Sequence, residues 1–107
     1  MTDTPQFVRV LPLAELPLGE RIFVEIDDQP IVILNVSGKV YAIGDLCTHD
    51  HGPLGDGELD GHEIICPRHG ARFDVRTGQA TRLPAVEPTL WYPVRIVDDW
   101  IEIGLPE

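Results

Sequence analysis

Apolar and polar residues change places in short runs along this chain, and each run ends at a turn signal. Phe7 to Leu11 alternates and predicts a first strand. Arg21 to Ile26 predicts a second, closed by a turn at Asp27-Asp28-Gln29. Ile31 to Val36 is a continuous branched run that suits a buried strand. Ser37-Gly38-Lys39 signals a turn, and Val40 to Ile43 returns as the hairpin partner. The pattern then stops. Gly44, Gly52, Pro53, Gly55 and Gly57 follow in quick succession and predict a loop of special backbone geometry. Glu58 to Asp60 and Glu63 to Ile65 predict a short hairpin around Gly61-His62, with a second loop at Cys66 to Ala71. Arg72 to Val75 extends again and Thr77-Gly78 turns, while Pro84 and Pro88 make Arg82 to Pro88 an irregular connection. Val94 to Val97 and Trp100 to Ile103 predict a final hairpin across Asp98-Asp99.

No stretch sustains helical periodicity, and there is no repeat, linker or low-complexity segment. Many short strands between Gly and Pro turns predict an all-β antiparallel sandwich or barrel. With 107 residues, the expectation is a single domain over residues 1–107. Two loops, about residues 45–57 and 66–71, lie between strands, so the scaffold presents them as a pair.

Charge narrows the partners. Eighteen Asp and Glu stand against eight Lys and Arg, a net charge of −10. Nucleic acid and anionic membranes are disfavoured by like-charge repulsion. A basic docking face on a partner fits, and so does plain solubility. The start, Met-Thr-Asp-Thr-Pro-Gln, has neither a basic nor an apolar leader segment, and the apolar run Ile31 to Leu34 is too short to span a bilayer. A soluble, cytoplasmic protein is the expectation.

The candidate chemistry sits in the two loops. The first reads Cys47-Thr48-His49, the second Cys66-Pro67-Arg68-His69, and sixteen residues separate His49 from Cys66. Each loop offers one thiolate and one imidazole. Four readings compete. Zinc takes two Cys and two His, but a zinc finger pairs Cys with Cys and uses a helix for its histidines. Blue copper leaves Cys66 unexplained. A Cys47–Cys66 disulfide leaves the histidines idle. A [2Fe–2S] cluster with two Cys on one iron and two His on the other uses all four.

C-x-H, the sixteen-residue spacer and C-x-x-H resemble the Rieske motif. Gly70, Arg72-Phe73-Asp74 and Thr77-Gly78 are similar to the strand and turn that follow the second ligand pair in that family. Leu83-Pro84-Ala85 is similar to its proline loop, about residues 82–88, which covers the cluster. The resemblance spans about Phe7 to Ile103. It implies a Rieske-like β-sandwich with a small cluster-binding subdomain formed by the two loops. It implies one Rieske-type [2Fe–2S] cluster held by Cys47, His49, Cys66 and His69, with the histidines at an exposed tip. Two ferric ions, two sulfides and two thiolates leave the oxidised core formally neutral, which eases reduction relative to an all-cysteine site. High-potential members carry a disulfide between the loops, matched here by Gly52 and Arg68. They also carry Ser and Tyr hydroxyls near the cluster, matched here by Ala71 and Phe73. Their absence implies a potential near the low end of the Rieske range, roughly −150 mV.

The resemblance thus implies a soluble, low-potential ferredoxin that is not itself an enzyme. It would be a monomer that docks transiently with a flavin-dependent ferredoxin reductase and a terminal iron oxygenase, and would bind neither nucleic acid nor membrane. A Rieske subunit of a larger reductase, such as a nitrite reductase, is one alternative, and a zinc-stabilised binding module is another. His51 and His62 read as solvated surface residues. Asp45, Asp50, Asp56, Glu58, Asp60 and Glu63 read as an acidic docking rim or as ordinary solvated charge. Thr48, Pro67 and Gly70 are expected to hold backbone amides toward the sulfurs. Arg68 reads as a partner guide or a solvated side chain. Tyr41, Trp91, Tyr92 and Trp100 read as packing residues.

Overall fold

The computed structural model describes residues 6–105. Its strands are β1 (Gln6–Pro12), β2 (Arg21–Ile26), β3 (Gln29–Val36), β4 (Lys39–Gly44), β5 (Leu59–Asp60) and β6 (Glu63–Ile65). They continue with β7 (Arg72–Asp74), β8 (Ala80–Arg82), β9 (Trp91–Tyr92), β10 (Val94–Val97) and β11 (Trp100–Leu105). One 3-10 turn, Leu13–Glu15, interrupts them. No helix among the described residues is long and apolar enough to cross a membrane.

Two-residue turns build three of the hairpins. Asp27 and Asp28 have φ of 52° and 64°, Ser37 and Gly38 have 56° and 93°, and Asp98 and Asp99 have 52° and 65°. Both central residues are left-handed in each, the geometry whose twist matches that of the flanking strands. Short polar residues and glycine tolerate it best. The turns are tighter than the sequence predicts. Gln29 and Lys39, read as turn residues, pair with Ile26 and Val36 and already belong to the returning strands.

Among the described residues all pairings are antiparallel and form three sheets: β1-β11-β10, β2-β3-β4-β9 and β5-β6-β7-β8. The second sheet is the middle layer, and β3 explains why. Ile31 and Ile33 face a core shared with Leu11, Ile101 and Ile103 of the first sheet. Val32 and Leu34 face the opposite core, with Ile64 and Phe73 of the third sheet and with Cys47 and Cys66. A strand buried on both faces has no polar side, hence the unbroken apolar run in the sequence. The antiparallel sandwich expected from the sequence is present, and the third sheet borders both candidate loops.

Two strands lie outside the expected set. β8 begins before the connection read as irregular, and β9 is only Trp91–Tyr92. β8 pairs with β7, and β9 docks on β4 through Ala42↔Tyr92 and Ile43↔Trp91. Segments this short carry no period of their own and are set by their partners.

Candidate metal centre

Loop one joins β4 to β5. It is pinned by side chains from several places. Asp45 Oδ1 accepts the N–H groups of Leu54 (2.8 Å) and Gly55 (2.5 Å). Arg21 of β2 donates to the carbonyls of Gly55 and Gly57. Thr89 donates to the Leu46 carbonyl at 2.8 Å, and Thr48 donates to the Glu87 carbonyl at 2.7 Å. Loop two needs less support. It joins β6 to β7, whose Ile65↔Arg72 pair closes its ends.

Both loops wrap their cysteine in the same turn. Cys47 N–H donates to Gly52 O at 2.8 Å, and Cys66 N–H donates to Ala71 O at 2.7 Å. Four residues after each cysteine an N–H returns to its carbonyl, His51 to Cys47 at 2.7 Å and Gly70 to Cys66 at 3.1 Å. Those two residues are both left-handed, with φ of 62° and 77°. Superposed by this frame, His49 matches Arg68 and Asp50 matches His69. The ligand spacing differs between loops although the backbone turn does not.

The four candidate ligands form two pairs of opposite burial. Cys47 and Cys66 are fully buried, and both are free thiols. His49 and His69 are exposed, their rings 5.2 Å apart and nearly perpendicular. A fifth residue joins them that the sequence reading placed only in the acidic rim. A carboxylate oxygen of Asp50 and the two sulfurs lie within 4.8 Å of one another. Asp50 also accepts two hydrogen bonds from Arg68, from Nε at 2.5 Å and from Nη2 at 2.9 Å, and lies 3.5 Å from His69 Nδ1. The Arg68 guanidinium, helped by the Gly52 N–H, holds the Asp50 carboxyl well below the usual carboxylate range.

The donor set fits the iron–sulfur group that the motif implies. Burial pushes the Cys47 thiol up, the N–H groups of His49 and Asp50 aimed at its sulfur pull the other way, and Cys66 raises it further. Two neighbouring thiols sealed from water gain most from a cation that draws off their protons. One sulfur and one exposed imidazole from each loop match two cysteines on one iron and two histidines on the other.

Other expectations change in detail. Thr48 ties loop one to the proline connection through its hydroxyl. Ala85 of that connection is buried in the same core as both cysteines, as a covering loop requires, while Leu83 and Val86 stand out at 71% and 77% exposure. That apolar rim has no periodic signal in the sequence. The acidic rim is thinner than expected. Asp45 and Asp50 are engaged within the loops, Asp60 and Glu63 pair with Arg72, and Asp56 and Glu58 are exposed. Arg68 is likewise bonded rather than free. His51 is exposed as expected, but His62 is half-buried and edge-on to Tyr41. Tyr92 is buried packing, whereas Trp91 is 46% exposed.

A protein-family profile described as the Rieske [2Fe-2S] domain matches residues 6–98. The ferredoxin component of the naphthalene 1,2-dioxygenase system of Pseudomonas aeruginosa is 36% identical, over 95% of this chain and 98% of that one. The 3-phenylpropionate/cinnamic acid dioxygenase ferredoxin subunit of Escherichia coli is 42% identical, over 90% of this chain and 91% of that one. Among solved structures, the ferredoxin of carbazole 1,9a-dioxygenase from Nocardioides aromaticivorans superposes with a TM-score of 0.84 at 37% identity, covering 97% of this chain and 99% of that one. A chain from a complex of reduced oxygenase and oxidised ferredoxin in carbazole 1,9a-dioxygenase superposes at 0.83 with 28% identity, covering 92% of each.

Proposed function

The chain belongs to the Rieske [2Fe–2S] domain family, and from that premise we propose that it is a one-electron carrier whose single cluster is held by Cys47, His49, Cys66 and His69. The observation that carries the reading is the pairing of the donors by burial: two sealed thiols and two exposed imidazoles, one of each from each loop. When bound, the cluster supplies a one-electron redox couple.

The residues of the chain divide the remaining work. The core around Cys47 and Cys66 excludes water from the thiolate side. His49 and His69 form the exposed edge through which a partner is reached. Leu83 and Val86, on the connection that Thr48 fastens to loop one, offer that partner an apolar rim. The partners are a terminal oxygenase that accepts the electron and a flavin-dependent reductase that supplies it. The oxygenase is supported by relatives named as dioxygenase ferredoxin components and by the ferredoxin–oxygenase complex. The carrier works as one domain, a soluble monomer of the cytoplasm. Ala71 and Phe73 are buried and carry no hydroxyl, so the potential falls near the low end of the range, roughly −150 mV.

Iron and sulfide analysis with an EPR-monitored redox titration tests the reading. About two irons and two sulfides per chain are expected, with a midpoint below zero. Cys66→Ser should leave the chain colourless and free of iron. A colourless wild-type chain holding one zinc overturns the reading, and a midpoint well above zero overturns its low-potential part.

A further inference from the structure

The two loops meet at one ion pair. Asp50 belongs to loop one and Arg68 to loop two, and their contact is bidentate, Nε and Nη2 onto the two carboxylate oxygens. Gly52 of loop one touches both partners. The Gly52 N–H donates to Asp50 Oδ1 at 3.0 Å and orients the carboxylate. The guanidinium lies against Gly52, where a Cβ would sit 2.7 Å from Arg68 Cζ. The same carboxylate lies 3.5 Å from Nδ1 of His69.

We infer that Asp50 and Arg68 form a non-covalent clasp that holds the two loops closed over the cluster and slows its loss. The inference rests on the ligand assignment above. Each loop then holds half of the donors, one thiolate and one imidazole, so release requires the loops to part. Parting them breaks the clasp. An exposed ion pair is ordinarily worth little, because two long side chains must be immobilised and water screens the charges. Here the planar fork matches the carboxylate, Gly52 supports both partners, and the side chains are only 34% and 21% exposed. Asp50 and Arg68 are positioning residues. They act through His69 and through the distance between the loops.

The test uses the cluster-loaded protein, with iron and sulfide stoichiometry measured first. Loss of visible absorbance is followed in an iron chelator at low and high salt. Asp50→Asn and Arg68→Gln should each accelerate loss about tenfold at low salt, the effect of one charge-assisted bond. The double variant should lose its cluster no faster than either single, because both remove one interaction. Arg68→Lys keeps the charge without the fork and should fall between. At about 1 M salt, where the screening length is about 3 Å, wild-type loss should approach that of the variants. The midpoint should rise in Asp50→Asn, fall in Arg68→Gln and return in the double variant, a pattern that loosened packing alone does not produce. Additive effects of the two substitutions, or wild-type loss indifferent to salt, overturn the clasp. A wild-type chain without the expected iron and sulfide overturns the cluster assignment instead, and the clasp with it.

Discussion

Loop one and loop two give their cysteines the same backbone turn, yet they are held in place by different means. Loop two is the short connection of a hairpin, and the Ile65↔Arg72 register sets its ends. Loop one spans from Gly44 to Leu59 and depends on Arg21, Asp45, Thr48 and Thr89, which reach it from other elements. The contrast separates shape from support. One turn geometry seals a thiol from water in both loops, while the side chains at the matched positions differ: His49 stands where loop two has Arg68, and Asp50 where it has His69.

The largest effect that breaks this comparison comes from loop one. Asp45→Ala strips the acceptor from two N–H groups on buried residues, Leu54 and Gly55. A cost of about 2–3 kcal/mol is expected, since each orphaned group keeps its desolvation penalty. Urea unfolding of the cluster-free protein should show a lower midpoint with an unchanged slope. No side chain in loop two carries an equivalent share, and a loss below about 0.5 kcal/mol would erase the distinction.

The next effect sharpens it at the left-handed position. Gly70 has φ of 77° with nothing within 4 Å of a built Cβ, so Gly70→Ala meets no clash and costs only the conformation, about 1–2 kcal/mol. The matched residue in loop one is His51, already a side chain at φ 62°. His51→Gly removes that strain and should be neutral or stabilising by under about 1 kcal/mol. Opposite signs from the two substitutions, read by the same unfolding assay, are expected if the turns are truly equivalent. A destabilised His51→Gly would show that the imidazole does more in loop one than occupy a strained position.

These loops also mark where the sequence stops being readable. The β2–β3, β3–β4 and β10–β11 hairpins were legible because Asp-Asp and Ser-Gly pairs suit two left-handed residues. β3 was legible because burial on both faces leaves no polar position. β8 and β9 were not, since two or three residues take their conformation from β7 and β4. The four candidate ligands stood out by spacing, a local property. The tie between Asp50 and Arg68 did not, because it exists only once the two loops have been brought together. Asp45 was misread for the same reason: its charge suggested water, while its acceptor is spent on N–H groups nine and ten residues onward.

The smallest effect probes loop two from its far side, through acid. Asp74 ends β7, and its carboxylate accepts the N–H of Arg76 at 2.8 Å and the Arg76 guanidinium at 3.0 and 3.1 Å. The Arg76 side chain holds the Asp74 carboxyl below its ordinary range against the opposing pull of burial. A depressed carboxyl stabilises the fold above its unfolded pKa, and that contribution disappears as pH falls through the lower, folded value. Asp74→Asn keeps one oxygen as acceptor for the Arg76 N–H and removes the charge together with the acceptor of the Arg76 Nη2 bond. Because Arg76 is 53% exposed, solvent screens the pair, and wild type should exceed the variant by under about 1 kcal/mol at neutral pH. The difference should hold down to about pH 4 and shrink below it. Unfolding of both proteins across that range, without the cluster, measures it. A difference that stays constant into strong acid would assign the stabilisation to the Asp74 turn rather than to its charge. Loop two would then rest on backbone geometry at both ends, with electrostatics confined to the Asp50–Arg68 pair it shares with loop one.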